Sequence, residues 1–171
     1  MRLYRKVIPK IARDIIRTLS SQNQIELEEG KAEEAELDLA AVMVEYLNTE
    51  EQLNRDAHDT LGRRGLGAER FSQIKKSIAD VRNIKIGEEG YDYILQQMIE
   101  VLFNSSNIAE IFAEDNEIRK VLKDVIARYL SISEEVDKEA RARLKNVREG
   151  SAEWDIEYPR MVAQIKKNKG L

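Results

Sequence analysis

Apolar residues recur along this chain of 171 residues at steps of three and four positions, the spacing of one face of an α-helix. The spacing predicts a first helix over about residues 4–21 and a second over about residues 31–47. Thr49 followed by Gln52 has the form of a capping box, which predicts that a third helix begins there. A fourth helix is predicted after the glycines near residue 65. The first half of the chain should therefore contain about four helices, and the sequence leaves open whether the second and third are separate or form one bent helix.

The same pattern occurs a second time in the chain. When the sequence is shifted by 83 positions, residues 8–67 align with residues 91–150 without a gap, and thirteen of the sixty positions are identical. Most of the shared residues are apolar and recur at helical spacing, so the shared content is a packing pattern. We therefore predict an all-α fold of two tandem, mutually packed helical modules of about four helices each. The modules should cover residues 1–85 and 86–171.

The second module carries its own signals for the ends of helices. Ser131 with Glu134 repeats the capping box, and Ser151 after Gly150 is a predicted N-cap for the final helix. Residues 73–76 match residues 164–167 only at a shift of 91. This predicts about eight extra residues in the second module, near Trp154.

The charge of the chain is unevenly distributed, although its net value of −4 indicates little more than solubility. Residues 1–19 carry six basic side chains, and residues 26–38 carry seven acidic ones. Cysteine is absent, which excludes disulfides and thiolate metal sites. No segment approaches the ~20 apolar residues of a membrane span, and no apolar core follows the basic N-terminus. We expect a cytoplasmic protein without a membrane span or a secretory signal.

Catalytic and metal-binding patterns are missing from the sequence. His58 is the single histidine, and its neighbours Asp56 and Asp59 point to different sides of a helix. There is neither a nucleophile elbow nor a phosphate loop that ends in Gly-Lys-Ser/Thr. No feature favours an enzyme, and we predict no catalytic residue, no cofactor and no metal site.

Basic side chains at the two ends of the chain are candidate interaction residues. On the first helix they could form a face for phosphate or a membrane surface, or they could pair with the acidic start of the second helix. Near the C-terminus they could contact RNA, or they could simply suit the negative end of a helix dipole. These candidates are Arg2, Arg5, Arg13, Arg17, Lys166 and Lys167.

Trp154 and Tyr158 are the remaining candidates, because residues four positions apart share one face of a helix. Three interpretations remain open for this pair. It could line a small-ligand pocket, anchor the final helix in the core, or form an exposed interaction patch if Trp154 faces solvent.

Three segments resemble a known family. They are the opening Met1–Leu19, the run Ala35–Leu47 and the aromatic and basic close Trp154–Leu171. Together they resemble the bacterial domain-of-unknown-function family 507, present here as two tandem copies. The resemblance implies an all-helical repeat from the bacterial cytoplasm, and it implies no activity, cofactor or catalytic residue.

We draw two hypotheses about function from the internal repeat, the uneven distribution of charge and the lack of catalytic motifs. The first is a non-enzymatic helical interaction or scaffold protein, whose partner is another protein or a second copy of itself in a homodimer. The alternative is a nucleic-acid- or ribosome-associated factor that uses the basic N-terminal helix and the C-terminal lysines. In that case affinity should fall steeply with salt, since each neutralised phosphate releases counterions.

Overall fold

A computed structural model describes residues 3–169 of the protein. The prediction of an all-α fold is confirmed, because helices dominate and the two strands are only three and four residues long. Short 3₁₀ turns at Arg5–Val7 and Ala68–Arg70 precede the first and third helices. The elements in these residues are α1 (Ile8–Ser21), β1 (Ile25–Leu27), α2 (Ala32–Arg64), α3 (Phe71–Val81), α4 (Gly87–Asn104), β2 (Ile108–Ile111), α5 (Asp115–Arg143) and α6 (Ala152–Asn168).

Six α-helices occur in the described residues, where the sequence pattern predicted eight. The predicted second and third helices are one helix in each half, α2 with 33 residues and α5 with 29. The predicted capping boxes at Thr49 and Ser131 are therefore wrong. The Thr49 hydroxyl donates to the carbonyl oxygen of Glu45 at 3.0 Å, which is how a threonine inside a helix satisfies its hydroxyl.

The chain divides into two compact units, residues 3–126 and residues 127–169. In the first unit α1 packs on α2, and α2 packs on α3 and α4. Its core is formed by fully buried side chains of the predicted apolar stripes, among them Ile11, Ile15, Leu19, Leu39, Met43, Ile94, Leu95, Met98, Leu122 and Ile126. The second unit buries a smaller set of apolar side chains, namely Val136, Ala140, Leu144, Val162 and Ile165, together with Ser133.

A two-stranded antiparallel sheet in the first unit was not predicted from the sequence. Its register pairs Ile25 with Ile111 and Leu27 with Ile108, and an irregularity separates Glu26 from Leu27. The Glu28 amide donates to the Asn107 carbonyl oxygen at 3.0 Å. Strand β1 shifted by 83 positions covers residues 108–110, so the two strands occupy equivalent places in the two halves of the sequence.

The ends of two helices follow from local chemistry. Helix α2 ends at Gly65, whose φ of +61° lies in the left-handed region that costs glycine least. The Leu66 amide then bonds to the carbonyl oxygen of Leu61 at 3.0 Å. Ser151 is the N-cap of α6, as predicted, because its hydroxyl oxygen accepts a hydrogen bond from the Trp154 amide at 3.1 Å.

Candidate functional site

The predicted aromatic pair lies in the unit of residues 127–169. The rings of Trp154 and Tyr158 stack with their centroids 5.1 Å apart and 17° between their planes. The guanidinium carbon of Arg141 lies 5.5 Å from the Trp154 ring centroid and 5.8 Å from that of Tyr158. Trp154 is half-buried. These contacts favour the interpretation that the pair anchors the final helix over that of an exposed patch.

Hydrogen bonds and ion pairs complete this cluster. Arg141 donates from Nε to Asp137 at 2.9 Å and from Nη1 to Glu149 at 2.7 Å, and the Tyr158 hydroxyl bonds to Asp137 as well. The bonds to Glu149 and to Asp137 raise the pKa of Arg141, so the guanidinium is held in its charged form. The cluster joins α6 to the last turns of α5.

A corresponding contact occurs in the first unit. The rings of His58 and Phe71 lie 4.4 Å apart at an angle of 32°. His58 and Phe71 are 83 positions before Arg141 and Trp154. Helix α6, with 17 residues, is longer than α3, with 11.

Basic residues of the first helical segment are engaged by acidic residues of α2. Arg13 Nε donates to Glu36 Oε2 at 3.4 Å, an ion pair of the kind that the two charge blocks predicted. Arg5 donates to Asn48 and to Glu51, each at 2.9 Å, further along the same helix. Arg17 is exposed, and Arg2 lies outside the described residues. Pairing within the chain thus accounts for two of the four candidate arginines.

The candidate lysines lie in the last turn of α6, where a cation suits the negative end of the helix dipole. Lys167 is exposed and Lys166 is half-buried. The neighbouring Lys169 pairs with Glu139 at 3.2 Å.

A cleft in the first unit is a stronger candidate for a binding site. Its volume is about 250 Å³, and it lies between α2, the turn that connects α3 to α4, and α4 itself. On both helices the lining residues follow helical spacing, so the cleft runs along the two helix axes. It is lined by Val42, Glu45, Tyr46 and Thr49 of α2, by Asn83, Ile84 and Lys85 of the turn, and by Tyr93, Gln97 and Val101 of α4.

Tyr46 lines the end of this cleft that is next to the turn connecting α3 to α4. Its hydroxyl donates to the Lys85 carbonyl oxygen at 3.2 Å, and its side chain is 93% buried, leaving 7% exposed. Burial, with a smaller contribution from the Glu50 carboxylate, raises the pKa of Tyr46 to about 12. Gly90 makes room for the ring, because a Cβ at that position would overlap the Tyr46 hydroxyl and lie 2.9 Å from the Lys85 carbonyl oxygen.

A second recess continues the cleft toward the other end of α4. It shares Val101 with the first and is otherwise lined by Asp38 and residues 104–107. Asp38 Oδ2 accepts hydrogen bonds from the Ser105 hydroxyl at 2.6 Å and the Asn107 amide at 2.9 Å. Residue numbers rise along α2 where they fall along α4, so the two helices are antiparallel here. We call the combined cleft, from Asp38 to Thr49 on α2 and from Tyr93 to Asn104 on α4, the docking groove.

The docking groove is lined by both apolar and polar side chains, and α2 contributes two acids to it, Asp38 and Glu45. Among the residues that the structure describes, neither Asp38 nor Glu45 has a cationic partner within 4 Å. Lys85 is the one cation that lines the groove within residues 3–169, and it pairs with Glu89 at 3.4 Å. Two carboxylates therefore face a groove whose single lysine already has an acidic neighbour.

Within residues 3–169 no three His, Asp or Glu side chains form a group that could hold a metal ion. None of the helices in the same range combines the length and the apolar character that crossing a bilayer requires.

Comparison with known proteins gives a family for the chain. Residues 1–171 match the family described as Protein of unknown function (DUF507). The chain belongs to this family. The match covers the full sequence and confirms the family that the three segments resemble, although it gives no support for two tandem copies, and the family description assigns no activity. No curated protein matches the chain.

The sequence did not reveal the docking groove, for a physical reason. Val42 and Tyr46 belong to the apolar stripe of α2, and in the sequence they cannot be told from core residues. Tyr93, Gln97 and Val101 recur every four positions along α4, beside its buried stripe. Only the packing of α4 on α2 brings the two rows together, and that packing is a long-range property.

Proposed function

We propose that this member of the DUF507 family is a non-enzymatic helical interaction protein that binds a protein partner in the docking groove. The groove itself is the observation that carries the proposal. Tyr93 is 47% exposed although it lies beside apolar groove residues, and Val101 is only half-buried. Accessible aromatic and aliphatic side chains in a concave surface are typical of protein-binding sites.

The ion pairs of the first helical segment weigh against the alternative of a nucleic-acid-binding factor. A phosphate-binding face needs basic side chains that are free to replace counterions. Arg5 and Arg13 already contact carboxylates of α2. Releasing them would cost those contacts, so this face is a weaker candidate than the docking groove.

We also infer that the chain is a tandem duplication of one module, divided near residue 85. The elements support this, since a helix, a strand, a long helix and a shorter helix follow each other twice. The antiparallel pairing of β1 with β2 is further support, because equivalent segments related by a two-fold axis pair in this way.

The proposed function can be tested by affinity capture from the cells that make the protein. The wild-type chain is compared with a Tyr93→Ala/Val101→Ala variant and with Leu37→Ala. Leu37 is the matched control, since it is a large apolar residue on α2 that is 66% exposed and does not line the groove. We expect the double variant to lose a partner that the other two proteins retain.

Two results would contradict the proposed function. Equal recovery by all three proteins would show that the groove is not the binding surface. A shift of RNA or DNA by the wild-type chain at low salt, lost in an Arg5→Ala/Arg13→Ala variant, would favour the nucleic-acid alternative instead.

A further inference from the structure

The walls of the docking groove restrict the conformation of anything that binds in it. Both long walls are α-helices, in which the backbone N–H and C=O groups are bonded along the helix. An extended peptide in such a groove would find no row of unpaired backbone groups, so its own would lose water without gaining partners. In a bound helix the backbone groups are already hydrogen-bonded to each other, so only its side chains need to contact the groove.

The length of the groove agrees with a short helix. From residue 38 to 49 on α2, and from 93 to 104 on α4, each wall spans eleven residue steps. At about 1.5 Å per residue this is roughly 16 Å, or three helical turns. A partner helix of that length presents apolar residues at positions i, i+3 or i+4, and i+7. Val42, Ile84, Tyr93 and Val101 are the accessible apolar side chains of the lining, whereas Tyr46 is almost fully buried.

The charge of the groove selects among amphipathic helices. Asp38 and Glu45 face the groove from α2 without a cationic partner among residues 3–169, and Lys85 is held by Glu89. A bound helix with acidic flanks would place like charges beside them, whereas lysine or arginine flanks would be complementary. Glu45 is exposed and therefore accessible to such a side chain.

We propose that the occupant of the docking groove is an amphipathic α-helix of a partner protein, about three turns long, whose apolar side is flanked by Lys or Arg. This inference rests on the proposed function and adds the chemistry of the partner. Apolar contacts supply most of the affinity, and Glu45 and Asp38 set the preferred sign of charge.

The test uses the full-length chain and a defined probe. The probe is a fluorescent peptide of about fourteen residues with leucine on one side of the helix and lysine beside it. Two further peptides have glutamate in place of the lysines, or a central proline that breaks the helix. Fluorescence anisotropy gives the dissociation constant with the wild-type chain, with Glu45→Lys and with Asp59→Lys. Asp59 is the matched control, an exposed acid of α2 outside the groove.

We expect the lysine peptide to bind the wild-type chain, with about tenfold weaker binding to Glu45→Lys, a loss of about 1.4 kcal/mol. Asp59→Lys should bind it like the wild-type chain. The glutamate peptide should prefer Glu45→Lys, and the proline peptide should not bind. All variants should melt within a few degrees of the wild-type chain, because both altered residues are exposed.

Several results would overturn the inference. Equal effects of Glu45→Lys and Asp59→Lys would show that the peptide responds to general charge and not to the groove. Equal binding of the proline peptide would exclude a helical occupant. A wild-type chain that is dimeric in solution and becomes monomeric in Tyr93→Ala would place a second copy in the groove instead. If affinity capture recovers a groove-dependent partner while the lysine peptide fails to bind, the partner chemistry is wrong and the proposed function stands.

Discussion

The position of the Tyr46 side chain requires a glycine at residue 90. Gly90 lies inside α4, where glycine is normally a poor choice because it loses the most conformational freedom on folding. At this position a side chain would overlap the Tyr46 hydroxyl, which is bonded to the Lys85 carbonyl oxygen. The shape of the groove end therefore depends on the absence of one Cβ.

Substitution of Gly90 by alanine should destabilise the protein by about 1–3 kcal/mol, since overpacking outweighs the gain in helix propensity. Gly62→Ala is the matched control, because Gly62 also lies inside a helix and a Cβ there would meet no atom within 4 Å. It should stabilise the protein by about 0.5–1 kcal/mol. Chemical denaturation measures both changes. If the two variants shift in the same direction, the contact of Gly90 with Tyr46 is not as described.

Tyr46 should also make stability depend on alkaline pH. Its pKa is about 12 in the folded protein and near 10 when unfolded. Between these values the unfolded chain releases the Tyr46 proton and the folded protein keeps it, so the free energy of unfolding falls as pH rises from 10 to 12. Below pH 10 Tyr46 is protonated in both states, so its full contribution to the free energy of unfolding is present there.

Tyr46→Phe should reduce this loss, so its denaturation midpoint should vary less between pH 10 and pH 12 than that of the wild-type chain. At neutral pH the same variant should be less stable by about 1 kcal/mol, since the bond to Lys85 is lost. An unchanged alkaline slope would show that Tyr46 is not buried and protonated as described.

At the scale of elements, the length of α2 is what the sequence pattern concealed. The apolar stripes near residues 39 and 57 were predicted correctly as helical and are buried. The resemblance of Thr49 and Gln52 to a capping box suggested a break between them, yet a threonine with its hydroxyl on the preceding turn is compatible with an uninterrupted helix. Local signals for a helix start are weak when packing on both sides favours continuity.

Two alanine substitutions distinguish a true cap from a false one. Thr49→Ala should leave stability unchanged or raise it by up to about 0.5 kcal/mol, because alanine is the better residue inside a helix. Ser151→Ala should cost about 1 kcal/mol, because Ser151 accepts the bond from the Trp154 amide. Thermal unfolding of the two variants checks this. A loss for Thr49→Ala as large as that for Ser151→Ala would indicate that α2 is broken at residue 49.

At the scale of the whole molecule, burial can be predicted from the sequence more accurately than contacts between distant segments can. Pairs at a shift of 83, such as Ile11 with Ile94 and Leu39 with Leu122, are buried in both halves. The pairing of β1 with β2 and the groove between α2 and α4 join segments that are distant along the chain. No periodicity within a single element records such contacts.

For the candidate site too, the sequence showed which residues are charged but not which of them are in contact. Clusters of arginine near the N-terminus suggested an interaction face, and the acidic block after residue 26 suggested an internal partner. The first structural unit places Arg13 beside Glu36, so the second interpretation holds for that residue. The acidic groove was not predicted, since Asp38 and Glu45 become neighbours of α4 only through packing.

The central claim, that the docking groove binds a protein partner, is tested most directly by photo-cross-linking in the cells that make the protein. A photoreactive benzoylphenylalanine replaces Gln97 inside the groove or, as a control, Asp59 outside it. We predict a discrete, protease-sensitive adduct from position 97 and none from position 59. The claim would be contradicted if position 97 gave no adduct, gave the same adducts as position 59, or linked only to nucleic acid.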